Sequence, residues 1–160
     1  MTVPLCVPIP VQQVLKKNGE QAEQALGRSR GGFSTKIHIT VDGLGNPLRL
    51  RLTPGQQHDI TQAEQLIENL DFERVLADRG YDAQDFIDFL VGRGIIPVIP
   101  SKKNARQPRQ YDVWVYRERQ LVECFINKIK HFRRIFSRFD KLARRYLGFL
   151  HFVSSLVWLR

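Results

Sequence analysis

A chain of 160 residues with 42% hydrophobic side chains can bury one core and hardly two, which excludes a large multidomain organisation within these residues. Two cysteines, Cys6 and Cys124, are too few and too separated for a disulfide framework or a paired-cysteine metal site, and they point to a reducing cytoplasm. The net charge of +9 is uneven: Ser101–Arg145 carries 14 Lys or Arg against four acids and the remainder 11 against 12, so the positive excess lies in one stretch suited to a polyanion such as nucleic acid, with a solvated basic face as the plain alternative.

The first residues, MTVPLCVPIPVQQVL, lack a basic leader and are broken by Pro4, Pro8 and Pro10, so no secretory signal is expected. Residues 16–32 are polar and glycine-rich without a period and read as a loop, which makes 1–32 an irregular N-terminal arm. Order is expected near Phe33. Lys36–Asp42 and Leu48–Thr53 alternate apolar with polar residues around DGLGNP, the pattern of a β-hairpin. Asp59 is placed as an N-cap for a helix reaching about Leu70. Arg74–Ala77 is read as a short buried strand ending at Asp78, followed by a helix from about Ala83 to Arg93 and a strand within IIPVIP. Residues 101–112 are basic and polar with little apolar spacing, and are expected to form a mobile loop. Two helices close the chain, about Val113–Phe136 and about Leu142–Leu159. The second contains Arg144, Arg145, His151, Ser154 and Ser155, leaving no apolar run of the required ~20 residues, so it reads as a packing helix and not a membrane span. The order of elements predicts an α/β fold with a mixed sheet.

The segment YRERQLVECFINKIKHFRR, residues 116–134, carries the strongest signal. At roughly 100° per residue, Tyr116, Arg119, Glu123 and Lys130 fall on one narrow stripe. Val122, Phe125, Ile129, Phe132 and Phe136 fall on another side, leaving Glu123 as the lone acid in a cationic and phenolic row. The plain reading is an amphipathic helix with an Arg119–Glu123 pair at i,i+4, which stabilises by about 0.2–0.5 kcal/mol. The spacing itself, Tyr, two residues, Arg, three residues, Glu, six residues, Lys, resembles the signature of transposases related to the insertion-sequence 4 and 5 families. VLADRGYD, residues 75–82, resembles the family's strand-end segment bearing the second catalytic Asp. GGFSTKIH, LTPGQQHD and FSRFDKLARRYLGFLHF resemble its hairpin, the turn after it and its closing segment.

This resemblance to the C-terminal part of a DDE transposase catalytic domain implies a ribonuclease H-like mixed sheet flanked by helices, occupying residues 33–160. It implies that Asp78 and Glu123 are catalytic acids and metal ligands, and that Tyr116, Arg119 and Lys130, with Arg133 and Arg134 beside them, meet DNA phosphates. Two Mg²⁺ or Mn²⁺ ions are expected in a complete site, because transferring a phosphodiester requires charge stabilisation on both the attacking and the leaving oxygen. For Asp78 the plain alternative is a polar residue closing a strand. Asp42 is read as a turn residue, Asp59 as an N-cap, and Asp82 or Asp85 as the start of the next helix.

The resemblance also implies an Asp on the first strand, ahead of KKNGEQAEQALGRSRGG. No Asp or Glu precedes Lys16, and Pro4, Pro8 and Pro10 make residues 3–11 a poor strand. The first strand is therefore expected to be missing and the isolated chain to be inactive and marginally stable, or dependent on an upstream transposase fragment or a homo-oligomer. A proline-rich start running abruptly into family-like sequence suits a reading frame that begins inside a longer gene after a frameshift or truncation. A cytoplasmic, nucleoid-associated, bacterial-type location is expected. Three functions are open: the catalytic half of a transposase, a non-catalytic DNA-binding remnant or regulator of transposition, and a basic RNA- or DNA-binding protein outside the family.

Overall fold

The computed structural model describes residues 3–10, 23–29 and 32–159. VQQVL and most of the loop expected over 16–32 lie outside them. The alternating hairpin segments form β3 (Gly32–Val41) and β4 (Pro47–Pro54), paired antiparallel. Asp42 closes their turn as expected, its Oδ1 accepting the amides of Leu44 and Asn46. A short strand β2 (Gly27–Ser29) pairs with the start of β3.

On the other long edge of β3 lies β1 (Val3–Pro10), antiparallel and in continuous register from Val3 opposite Val41 to Pro10 opposite Ser34. This corrects the expectation of a missing first strand, and that of an irregular arm at Val3–Pro10 and Gly27–Ser29. The physical reason is parity, since successive residues of a strand aim their backbone groups at opposite neighbours. The Gly55 amide, just past β4, donates to the Ser34 carbonyl, so Ser34, Lys36 and His38 face β4, and Thr35, Ile37, Ile39 and Val41 face β1. The β1 partners of those four are Ile9, Val7, Leu5 and Val3, and none is proline. Pro4, Pro8 and Pro10 all fall on the alternate set, on the side away from β3. There β1 runs beside β5 (Arg74–Leu76) without pairing to it. The prolines do not block the strand; they split the sheet.

Strand β5 pairs in parallel with β6 (Ile96–Val98), inside the IIPVIP segment. Both faces are covered, as parallel strands require. Leu76 and Val98 join a core with Ile37, Ile39, Val122, Phe125 and Leu150. Val75, Ala77 and Ile99 join a second cluster with Leu66, Phe86 and Leu90, from α1 (Ala63–Ile67) and α2 (Gln84–Gly92). Asp59 does not cap the helix that follows it. His58 occupies the N-cap of a 3-10 turn over Asp59–Gln62 with no side-chain cap, and the Asp59 carboxylate bonds Lys36 at 2.6 Å instead. A full ammonium partner on β3 is worth more to a carboxylate than the amides of a single 3-10 turn.

The single helix expected over 113–136 is three: α3 (Val113–Arg117), α4 (Gln120–Lys130) and α5 (Arg133–Phe136). The first break is shallow, because the Glu118 and Arg119 amides reach back three residues to Val115 and Tyr116 and tighten the turn without reversing it. At the second break Phe132 adopts an extended backbone and packs on the core. Helix α6 (Ala143–Trp158) buries Tyr146, Leu150 and Val153 as a packing helix. No helix of the described residues is long and apolar enough to cross a membrane. Arg138, fully buried, links the elements: its guanidinium donates to the carbonyls of Asp140, Lys141 and Ala25 and to Thr35 Oγ1, and lies over the Tyr146 ring.

Val7→Pro, which removes a donor to β3, should destabilise the chain by about 1–3 kcal/mol more than Cys6→Pro, read from urea unfolding. A second prediction concerns His38, fully buried with Nε2 2.7 Å from Thr53 Oγ1. Burial pushes its pKa from 6.5 down to about 4. The unfolded chain takes up that proton below the ordinary value and the folded chain resists, so stability is complete above pH 6.5 and falls as pH drops toward 4, by about 3 kcal/mol. His38→Gln should flatten that part of the profile of unfolding midpoint against pH.

Candidate functional site

Asp78 follows β5 after Ala77, at the carboxyl end of the parallel pair, where open α/β sheets leave a crevice. Its Oδ1 accepts the Gly80 amide at 2.8 Å and caps a 3-10 turn over Arg79–Tyr81. A Cβ at position 80 would stand 3.0 Å from Asp78 Oδ1 and 3.9 Å from Asp59 Oδ2, so glycine lets two carboxylates approach the same point. Asp78 lines a cavity of about 340 Å³ with Arg79, Gly80, Pro100, Tyr111, Tyr116 and Arg119. A larger cavity, about 850 Å³, lies elsewhere, between β4 and the start of α6. The smaller one holds the predicted acid and two members of the helix signature.

Those two members are arranged by the tightened turn between α3 and α4. Asp112 starts α3 by accepting the amides of Trp114 and Val115. Tyr116 then packs edge-on against Tyr111, ring centroids 5.4 Å apart. Burial raises the Tyr116 pKa, with Arg119 working in the opposite direction and Asp78 adding to the rise. The phenol thus keeps its proton at neutral pH and is a donor. The Arg119 guanidinium lies 5.8 Å from the centre of the Tyr116 ring and bonds Glu123 Oε1 at 2.8 Å. Glu123 is exposed, its side chain 54% accessible, and not part of the hydrophobic interior. It does not itself line the cavity; it meets the cavity wall through Arg119.

The remaining signature residues lie further along. Lys130, half-buried, stands in the last turn of α4, about 10 Å along the axis from Glu123 at 1.5 Å per residue. Arg133 is exposed, with its guanidinium 5.7 Å from the Phe139 ring centre. Arg134 is held by Asp140 through two hydrogen bonds, at 2.8 and 2.6 Å, and lies over Phe149. That fork holds the Asp140 carboxyl below its usual range.

Sequence reasoning missed what Asp82 does. It does not start α2, whose N-cap is Ala83. Its Oδ2 accepts the Lys102 amide at 2.7 Å and its Oδ1 the Arg109 guanidinium at 3.0 Å. Burial pushes the Asp82 pKa up, but these two partners outweigh it and the net direction is down. Residues 101–112 are therefore tied to the end of the 3-10 turn that follows Asp78 and not left free. The partners of Asp82, the Lys102 backbone amide and the Arg109 guanidinium, lie 20 and 27 positions away, which no local pattern reveals.

Asp78 Oδ2 and Glu123 Oε2 have no hydrogen-bond partner among the described residues, which suits each to a hard divalent cation. Among the described residues, no group of three or more His, Cys, Asp or Glu side chains converges to hold a metal ion. Two carboxylates would leave most of a cation's shell to water or a ligand.

A family model described as the transposase DDE domain matches residues 8–145. A Brucella ovis protein named as a transposase for insertion sequence element IS6501 is 36% identical over 133 residues, covering 80% of this chain and all of that protein. A Burkholderia cepacia protein named as a transposase for insertion sequence element IS402 is 32% identical over 142 residues, covering 81% of this chain and 64% of its own length. Among solved structures, the piggyBac transposase synaptic complex with hairpin DNA aligns at a TM-score of 0.47 and 10% identity, over 66% of this chain and 23% of that one.

Both acids are held by exposed contacts, so Asp78→Asn and Glu123→Gln should each change the unfolding free energy by less than about 1 kcal/mol. Thermal and urea melts check this, and a larger loss would make either acid structural.

Proposed function

The chain belongs to the transposase DDE-domain family, and from that premise we propose that it is the C-terminal portion of a transposase that cleaves and transfers the DNA strands of an insertion sequence. The observation that carries this reading is the shared setting of Asp78, Tyr116 and Arg119 around one cavity, with Glu123 joined to it through Arg119. Antiparallel β1, β3 and β4 beside parallel β5 and β6 support a ribonuclease H-like sheet.

In this reading Asp78 and Glu123 hold Mg²⁺ or Mn²⁺, which would stabilise charge on the phosphodiester oxygens during transfer. The protein's own groups bind and orient. Arg119 can give one edge of its guanidinium to a phosphate while the other keeps Glu123 in place. Tyr116 donates its phenolic hydrogen to a phosphate oxygen. Lys130 and Arg133 extend the cationic row along the DNA as point charges and forks. Arg134 contributes only while sharing its guanidinium with Asp140. A complete two-ion site takes one more carboxylate, and the segment VPLCVPIP of β1 has none. The chain alone is therefore inactive, and a separate transposase polypeptide would have to supply the acid.

The same lack of an acid in β1 supports a second reading, a non-catalytic remnant or regulator that occupies transposon ends. Both place the protein on bacterial DNA in the cytoplasm.

A plasmid-nicking assay with Mg²⁺ or Mn²⁺ and a gel-shift titration test these readings together. The chain should bind duplex carrying the element's terminal repeat in preference to a scrambled duplex, with Arg119→Ala weakening binding about tenfold, and should not nick. Nicking that disappears in Asp78→Ala or Glu123→Ala would show the site complete. No preference for the repeat would favour a general basic nucleic-acid binder.

A further inference from the structure

Residues 101–110, SKKNARQPRQ, hold four cations and no acid. The segment leaves the protein at Pro100 and returns at Tyr111, and both of these residues line the Asp78 cavity. It thus arches from one wall of the cavity to another. Its shoulders are pinched together by Asp82, which takes the Lys102 amide on one oxygen and the Arg109 guanidinium on the other. The Arg109 amide donates to Ser101 Oγ at 2.8 Å and the Ala105 amide to the Lys102 carbonyl at 3.0 Å. The Asp82 side chain is 11% accessible; its bond to Arg109 is part-buried and charge-assisted, and its bond to the Lys102 amide is exposed.

The latch uses up one cation of the four. Lys102, Lys103 and Arg106 are exposed and form no ion pair with an acid among the described residues. Holding like charges together on a fixed arch costs self-repulsion that an anionic partner removes. Fixing the arch in advance also lowers the ordering entropy that binding would otherwise cost.

We propose that Ser101–Gln110 is a preformed strap that contacts the phosphate backbone of duplex DNA beside the Asp78 cavity, and that Asp82 is the positioning residue that holds it in shape. This rests on the DNA-acting reading above and adds a contact surface outside the acid and helix signature. Duplex is assigned as the occupant because three unpaired cations at the rim of a cavity already lined by Arg119 form an extended positive surface, and a continuous double row of phosphates can meet more of it than an isolated anion can.

The assay is duplex binding at several salt concentrations, with limited trypsin digestion alongside. By charge alone Asp82→Ala should bind DNA more tightly, since it removes an acid. The strap predicts the reverse: binding about tenfold weaker, and faster tryptic cleavage after Lys102, Lys103 and Arg106, with Asp82→Asn intermediate. Arg109→Gln opens only one shoulder and should give a smaller rise in cleavage. The exposed triple variant Lys102→Ala, Lys103→Ala, Arg106→Ala, which leaves the latch and the fold intact, should lower the salt slope of binding by up to about 2.7, at roughly 0.9 for each phosphate no longer neutralised. Asp82→Ala binding as tightly as the unaltered chain, or the triple variant keeping its slope, overturns the strap. Equal or stronger binding to single-stranded DNA overturns the assigned occupant. Failure of the unaltered chain to bind DNA at all sinks the DNA-acting reading itself, a result distinct from either.

Discussion

Every other backbone group of a strand faces the same neighbour, and the arrangement of this protein depends on how three prolines fall on that alternation. Pro4, Pro8 and Pro10 share one parity, so β1 keeps its donors toward β3 and on the side toward β5 retains only that of Cys6. The antiparallel strands and the parallel pair lie side by side without a continuous ladder between them. What joins them is apolar packing: Leu76 and Val98 from the parallel pair share a core with Ile37 and Ile39 of β3. Asp78 is placed by that packing, at the end of a strand buried on both faces.

The electrostatics of the site follow from a shortage of acids in a basic half-chain. Each carboxylate near the cavity already has a task. Asp78 caps a turn, Asp59 holds Lys36, Asp82 ties the basic segment and Glu123 restrains Arg119. Single contacts of this kind leave Asp78 and Glu123 with an oxygen each to offer, whereas Asp82 spends both of its oxygens on the latch. The same division holds among the cations. Arg138 is buried among carbonyls, Arg134 is forked onto Asp140 and Arg109 is held by Asp82. The positive surface is therefore carried by fewer residues than the composition suggests.

Much of the architecture was legible along the chain. Alternation at Lys36–Asp42 and Leu48–Thr53 marked the hairpin, the apolar run before Asp78 marked β5, and the last helix was recognised as a packing element. Each of these is a local pattern whose period matches its element. The family signature was also a matter of spacing within one segment, and the family assignment drawn from it stands. The misreadings came where a local rule met a distant partner. Asp59 fits an N-cap rule but lies within reach of Lys36. Asp82 fits a helix start but meets Lys102 and Arg109. Three prolines in eight residues argue against a strand unless their common parity is counted against one edge.

By itself the sequence determined the family, the positions of the two candidate acids, the concentration of charge after Ser101, and the absence of any acid before Lys16. These are properties of residue identity and spacing, which need no third dimension. Only the tertiary structure decided that β1 takes its place beside β3, that Arg119 stands between the Asp78 cavity and Glu123, and that Asp82 fastens the basic segment to the cavity rim. Those outcomes depend on which groups meet across long stretches of chain, and such meetings are set by burial and competition for hydrogen bonds, not by neighbours in the sequence.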